Sequence, residues 1–267
     1  MWSRRPAPGM GRTHSTACLA RFSVLAVVDA LYSDPRLAVL YDPLDPDRSD
    51  LDLYTGLVEE FGARSVLDVG CGTGTFACLL AERGIDVVSV DPAAASLDVA
   101  RQKPGADRVR WLLGDASSLP PLRVDVVTMT ANVAQVFLTD EEWTLTLRAV
   151  RSALRPGGRL VFESRDPARR AWEDWNRDST TSSAEVLDMG TVTSWVEVTE
   201  VHEPLVSFRE TVVLGDGAVL SSESTLRFRT RGELLESVTG AGLIVDEVRD
   251  APDRPGRELV VIAHRPG

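Results

Sequence analysis

The residues best suited to chemistry lie in one stretch, Val66-Leu67-Asp68-Val69-Gly70-Cys71-Gly72-Thr73-Gly74. It sits where a short apolar strand, Ser65–Val69, turns into a helix through Leu79 and Leu80. Gly70, Gly72 and Gly74 carry no Cβ, so the backbone can turn tightly and come close to a ligand. In open α/β sheets such turns lie at the C-terminal ends of the strands, where ligands bind. A nicotinamide-binding turn would place its last glycine, counted from Gly70, where this chain has Thr75. A P-loop would end in Gly-Lys-Ser/Thr, which this segment does not. Two acids narrow the ligand further. Asp91 ends the second strand, 21 residues after Gly70, where a carboxylate accepts hydrogen bonds from both hydroxyls of a ribose. Asp115 follows the third strand in Leu112-Leu113-Gly114-Asp115-Ala116. Its carboxylate could accept from the exocyclic amine of adenine while the Ala116 amide donates to a ring nitrogen. Pro92 offers an apolar face to the ring. A glycine turn, a ribose acid and an adenine acid on successive strand ends describe an adenosyl ligand without a diphosphate.

The elements that must hold these residues follow from periodicity. Residues 22–42 read as helical, ending in the Pro-rich turn Asp42-Pro43-Leu44-Asp45-Pro46. Ser49 and Asp52 suggest a capped helix with Tyr54, Leu57, Val58 and Phe61 on one face. Short apolar strands at Ser65–Val69, Asp86–Val90, Val109–Leu113, Val124–Thr130 and Arg159–Glu163 then alternate with helices. Thr139 and Glu142 form a capping box for the helix carrying Trp143, Leu147, Val150 and Leu154. Apolar strands alternating with helices imply a parallel sheet covered on both faces. After about residue 190 the period becomes two. Thr191–His202, Leu205–Leu214 and Ala218–Arg229 read as an antiparallel meander with turns at Glu203-Pro204 and Gly215-Asp216-Gly217. A last helix capped by Thr230 and Glu233 precedes two strands, Leu243–Val248 and Glu258–Ala263.

With these residues in place, the chain resembles the class I S-adenosylmethionine-dependent methyltransferases, small-molecule type. The resemblance runs from Val66 to about Glu163. It rests on the Asp-x-Gly-x-Gly-x-Gly turn, Asp91, Gly114-Asp115, the fourth strand into Asn132, and Leu154-Arg155-Pro156-Gly157-Gly158 before the fifth. It implies a Rossmann-like, doubly wound seven-stranded α/β sheet whose last strand is antiparallel, with the meander inserted as a lid over the substrate. The expected organisation is a disordered extension over residues 1–21 and a methyltransferase domain over 22–267, its lid at 190–229. By the same resemblance Gly70, Cys71 and Gly72 line the methionine and ribose of S-adenosylmethionine, Asp91 holds the ribose, and Asp115 and Ala116 hold the adenine. Thr130 lies under the sulfonium, and Tyr41 closes over the cofactor. Asp68, an acid within an apolar strand, needs partners. It is read as orienting the glycine turn and the cofactor's amino group.

The acceptor side is less defined. Asn132, Gln135, Glu163, Arg165 and Asp166 stand at the mouth of the fourth and fifth strands, and His202 lies on the insertion. Asn132 and Gln135 cannot act as bases. Glu163 or Asp166 could, or either could bind a cation. Arg165 could bind a carboxylate or pair with Asp166. No catalytic residue is assigned. The expected reaction is in-line methyl transfer to a nitrogen or oxygen of a small molecule. The alternatives are a cofactor-binding protein without transferase activity, or a protein methyltransferase. Cys71 has no histidine near it in sequence, since the three histidines lie at 14, 202 and 264, so it is not read as a nucleophile. Trp172 and Trp175 are read as packing rather than as a pocket wall.

Composition bounds the remaining classes. The 267 residues carry 29 Lys+Arg against 40 Asp+Glu, a net charge of −11. That opposes nucleic-acid binding and electrostatic anchoring on an anionic membrane. Lys103 is the only lysine, read as coding bias. Three cysteines without zinc-knuckle or redox spacing give the expectation of free thiols in a reducing, cytoplasmic compartment and of no metal site. Phe22–Val28, behind Arg4 and Arg5, is only seven residues between Arg21 and Asp29. It is not read as a signal peptide. The edge strands of the meander could pair in a dimer.

Overall fold

The structure is a computed structural model and describes residues 28–267. The expected disordered extension and the apolar stretch up to residue 27 lie outside the described residues, as does Cys18. The expected helix over 22–42 is, from residue 28 on, three short turns of helix: α1 (Ala30–Ser33), α2 (Pro35–Ala38) and α3 (Tyr41–Leu44). Pro35 lacks the amide that would continue α1, and the Asp34 carboxylate caps the new turn by accepting from the Arg36 amide. The next helix, α4 (Leu51–Glu60), starts at Asp50 with no side-chain cap. The expected cap at Ser49 is therefore displaced by one residue.

The central domain alternates as expected: β1 (Ser65–Val69), α5 (Thr75–Glu82), β2 (Asp86–Asp91), α6 (Ala94–Ala100), β3 (Val109–Leu113), β4 (Val124–Met129), α7 (Asp140–Ala153) and β5 (Leu154–Arg165). After the insertion come α9 (Arg231–Gly240), β10 (Ile244–Asp250) and β11 (Glu258–His264). The sheet order is β10-β11-β5-β4-β1-β2-β3, with β11 antiparallel to both neighbours. The strand order reverses between β1 and β4, the switch point where a doubly wound sheet binds its ligand. Both faces are covered. Leu67, Val127, Met129 and Phe162 pack against Trp143, Leu147 and Val150 of α7. Val66, Val87 and Val126 pack against Leu57 of α4 and Phe76 and Leu80 of α5. The capping boxes at Thr139/Glu142 and Thr230/Glu233 both form.

The insertion holds one helical turn, α8 (Arg177–Thr180), and four strands rather than three: β6 (Ser182–Val186), β7 (Gly190–His202), β8 (Leu205–Val213) and β9 (Val219–Arg227), in that order. β6 escaped the sequence because Ser182-Ser183-Ala184-Glu185-Val186 carries one large apolar residue and hence no visible alternation. The sheet is two-faced. Outward it shows the Arg209–Glu223 pair. Inward, β7 turns Val192, Ser194, Val196 and Val198, and β9 turns Leu220, Ser222 and Ser224. Two sets of contacts tie this sheet to its neighbours. Arg229, 2% exposed, donates to the carbonyls of Ala134, Phe137 and Thr139 in the loop after β4. The α1–α3 segment hangs from β9, with the Leu31 amide donating to Ser222 Oγ at 2.8 Å and Ser224 Oγ donating to Asp29 Oδ2 at 2.7 Å.

Candidate active site

The glycine turn is built as the sequence requires. Gly70, Gly72 and Gly74 have φ of +73°, +52° and +77°, the region L side chains avoid. A Cβ at Gly70 would also lie 2.6 Å from the Val133 side chain, so the turn and the loop after β4 close on one another only through glycine. Asp91 organises three strand ends. Its carboxylate accepts from the Gly72 and Ala93 amides, both at 2.8 Å, and its carbonyl accepts from the Gly114 amide at 3.0 Å. Each carboxylate oxygen keeps a second lone pair for a ligand hydroxyl. Burial pushes the Asp91 carboxyl up, and the two amides partly offset this. Asp115 accepts from Ser117 and Ser118 through Oδ1. The next residue, Ala116, is buried, and Pro92, directly after β2, is exposed.

Asp68 is 1% exposed and takes a hydrogen bond from Thr128 Oγ1 at 2.9 Å on Oδ1, while its buried Oδ2 has no partner. Burial pushes its carboxyl up to about 7. The turn, the orphaned Asp68 oxygen and the Asp91 frame fit a ligand with an amino group, a ribose and an adenine. The folded state therefore holds a proton on Asp68 that the unfolded chain, with a carboxyl near 4, has released. Stability should fall as pH rises from about 4 to about 7. In Asp68→Asn that loss is absent. Its Tm relative to wild type should climb by several degrees between pH 5 and pH 8, while S-adenosylmethionine binds more weakly. A Tm difference independent of pH in a denaturation series would contradict this.

Tyr41 lies in the cluster that joins α1–α3 to the lid, its ring 6.0 Å from that of Tyr32. The adjacent Asp42 ties this segment to the glycine turn. Its carboxylate accepts from Thr73 Oγ1 at 2.8 Å and pairs with Lys103 Nζ at 2.7 Å, and Lys103 also reaches Thr75 Oγ1 at 2.6 Å. The single lysine, read from sequence as coding bias, is thus part of a latch. Nothing in its neighbourhood in sequence announces this, because its partners come from segments about 30 and 60 residues away.

Beyond the turn, Thr130 is buried at the end of β4, followed by Ala131 and Asn132 with φ of +53° and +60°. Two successive non-glycine residues in this region mark stored strain. Glu163 holds them, accepting from the Asn132 amide at 3.1 Å and from the Tyr54 hydroxyl. The Asn132 side chain donates to Glu258 at 3.1 Å. Burial and the neighbouring Glu258 push Glu163 up. Arg165 donates to Gln135 at 3.0 Å, lies 4.0 Å from Glu258 and sits over the Trp175 ring. Of the two alternatives for Arg165, the pair with Asp166 does not form, because Asp166 caps the turn after β5 by accepting from Ala168. His202 is also corrected. It stands at the outer end of β7, 76% exposed, bound to Glu200, so it does not face the cleft. Trp172 packs edge-to-face on Phe228 as core, while Trp175 borders Arg165. Burial pushes the Cys71 thiol well above its ordinary range, against a nucleophilic role.

One acid escaped the sequence reading, Glu210 of β8. It lies on the inner face of the lid, and its burial alone pushes its carboxyl up to about 7. Only the alternation along β8 could have signalled it, as a charge at an inward position.

Residues 66–158 match the family described as methyltransferase domain. The cypemycin N-terminal methyltransferase of Streptomyces sp is 40% identical over 106 residues, 39% of this chain and 43% of that protein. The chain spans less than half the length of the curated relatives it matches first. Among solved structures, the CcbJ methyltransferase of Streptomyces caelestis is 24% identical with a TM-score of 0.70, covering 86% of this chain and 96% of that one. SAM-bound CalS10, an amino pentose methyltransferase of Micromonospora echinaspora, is 25% identical with a TM-score of 0.66, covering 85% and 95%. Residues 66–158 thus carry a methyltransferase domain, and the sheet order around it is the fold of these solved methyltransferases.

Proposed function

We propose that this chain transfers the methyl group of S-adenosylmethionine to a nitrogen of a small molecule held beneath the lid sheet. The observation that carries this reading is the charge of the space between the strand ends and the lid. Asp91 and Glu163 lie at the strand ends and Asp29 and Glu210 at the inserted sheet, while the buried cations of this side are already engaged, Arg165 by Gln135 and Glu258 and Arg229 by the carbonyls of Ala134, Phe137 and Thr139. Such a space favours a cationic or amine acceptor over a carboxylate. The relative named as an N-terminal methyltransferase supports nitrogen.

When bound, S-adenosylmethionine supplies an electrophilic methyl group whose leaving group is a neutral thioether. The chain's task is then alignment. Gly70 and Gly72 let the backbone approach the ligand, Asp91 fixes the ribose, and Asp115 with Ala116 fixes the adenine. Asp68 takes the amino group on its unpartnered oxygen. The strained 131–132 turn, fixed by Glu163, sets the wall at Thr130. Alignment of this kind can supply about 7–11 kcal/mol of barrier reduction. Among the described residues no helix is long and apolar enough to cross a membrane.

Thermal unfolding tests the cofactor. S-adenosylmethionine or S-adenosylhomocysteine at about 100 times Kd should add roughly 2.7 kcal/mol. For a chain of this size that is a Tm rise of about 5–10 °C, with none from NADH. Labelled methyl groups should then enter a pool of small amines and not a matched pool of alcohols and phenols. A flat thermal response, or label only in the hydroxyl pool, would overturn the reading.

A further inference from the structure

We infer that Glu210, on the inner face of the lid sheet, holds the ammonium group of the acceptor and takes its proton, making the acceptor a primary or secondary amine. The inference rests on the methyl-transfer reading above. Glu210 is paired across the sheet with Val196 on β7 and Ser222 on β9, and is flanked along its strand by Phe208 and Val212. Every other inward position of β7, β8 and β9 in these rows is aliphatic, aromatic or hydroxyl. Glu210 is the one charge on that face.

Its position is fixed by its neighbour. Ser222 Oγ accepts the Leu31 amide, so Glu210 lies one strand from the point where the 29–32 segment hangs from the lid. Tyr32 follows directly. Burial raises its hydroxyl, and the charges of Tyr41, Glu210, Asp29 and Asp91 all add to this. The Tyr32 hydroxyl therefore stands in the field of the lid acid and of the ribose acid together, and it also bears on Arg165.

The other buried acids here have partners. Asp29 accepts from Ser224, Glu163 from Tyr54 and Asn132, and Glu258 from Asn132 and Arg254. Among the described residues Glu210 has neither a hydrogen bond nor an ion pair, and no charged group offsets its burial. A half-buried carboxylate without a partner is costly, and such groups concentrate at functional sites. An ammonium ion is the partner its surroundings lack.

The step balances simply. The carboxylate of Glu210 takes one proton from R–NH3+, leaving R–NH2 with its lone pair free. The nitrogen forms a bond to the methyl carbon as the carbon–sulfur bond breaks, and the sulfur keeps that electron pair as a neutral thioether. The product leaves as the methylammonium ion, and the Glu210 carboxyl returns its proton to solvent. A carboxyl titrating near neutrality is suited to both halves of this exchange.

The test uses the full chain loaded with S-adenosylhomocysteine and labelled with carboxyl-13C glutamate. The Glu210 resonance is the one missing from Glu210→Gln. Cyclohexylamine, benzylamine and D-glucosamine are titrated in turn, with cyclohexanol, benzyl alcohol and D-glucose as uncharged controls. At least one amine should shift the Glu210 resonance and lower its titration midpoint, and the controls should not. Glu210→Gln should weaken that amine at least tenfold while the S-adenosylhomocysteine Kd stays within twofold, and Glu210→Asp should restore part of the loss. No shift with any of the amines, or equal amine binding in Glu210→Gln, overturns the inference. Amine binding at Glu210 without any binding of the adenosyl ligands would instead sink the methyl-transfer reading and leave a cation site.

Discussion

Replacing Asp91 by alanine should raise the dissociation constant for S-adenosylhomocysteine by a hundredfold or more, measured by calorimetry at neutral pH. In the function proposed here the carboxylate accepts two ribose hydroxyls, and a hydrogen bond to a charged group contributes about 1.5–3 kcal/mol. Two such bonds amount to about 3–6 kcal/mol, a factor of about a hundred to ten thousand. The loss extends beyond the direct contact. The same carboxylate holds the Gly72 amide, and with it the turn whose three glycines take positive φ. Without it the turn must be ordered by the ligand, which costs binding energy again. The free protein should suffer less, because removal of a desolvated acid offsets the loss of two amide caps, so its Tm should move by only a few degrees. Asp91→Asn keeps one good acceptor and should fall between. A dissociation constant within tenfold of wild type in Asp91→Ala would place the ribose elsewhere.

The parts of this site that the sequence displayed are those in which local chemistry and local geometry coincide. The turn from Asp68 to Gly74 needs glycine at three positions because its own backbone takes positive φ there. Asp91 and Asp115 stand at the ends of strands that periodicity already marks. Two of the helix caps, at Thr139 and Thr230, are likewise contained within four residues. What stayed hidden joins distant segments. Lys103 reaches Asp42 across 61 positions, and Arg229 reaches Ala134 across 95. The helix expected over 22–42 breaks at Pro35, whose missing amide starts a new turn. For Arg165 the sequence offered only a ligand carboxylate or the adjacent Asp166, whereas the fold brings it Gln135 and Glu258. His202 looked chemical by type alone, and a bulge in β7 between Val198 and Glu200 precedes its exposed position. Glu210 is the reverse case, an ordinary residue type whose position on an inward row gives it a role. Side-chain type predicts chemistry only after a partner is known, and partners at long range are set by register.

Glu163 should separate the two duties of a buried acid in this fold. Glu163→Ala leaves the Tyr54 hydroxyl and the Asn132 amide unpaired in the interior and opens a cavity between β5 and α4. An unpaired buried group costs about 1–3 kcal/mol, so two should cost about 2–6 kcal/mol before the cavity is counted. At about 2–4 °C per kcal/mol, Tm should fall by roughly 5–20 °C. The effect should reach the active site, since Asn132 and Ala131 lose the contact that holds them at positive φ. Val133, which closes on Gly70, would shift with them. Glu163→Gln should behave differently. Its carbonyl can still accept from Asn132, and its amide can donate to Tyr54 or to Glu258, as a protonated Glu163 would donate. In the wild type, burial and Glu258 hold the Glu163 carboxyl above its ordinary value. The folded state keeps a proton that the unfolded chain loses, so this part of the stability declines as pH rises from the ordinary carboxylate range toward neutrality. Glu163→Gln removes that decline. It should match wild type near pH 5 and exceed it at pH 8, while Glu163→Ala lies below both throughout. If the glutamine variant instead lost stability and turnover together at pH 8, Glu163 would have to act as an anion, and its place beside the strained turn would belong to proton transfer rather than to support.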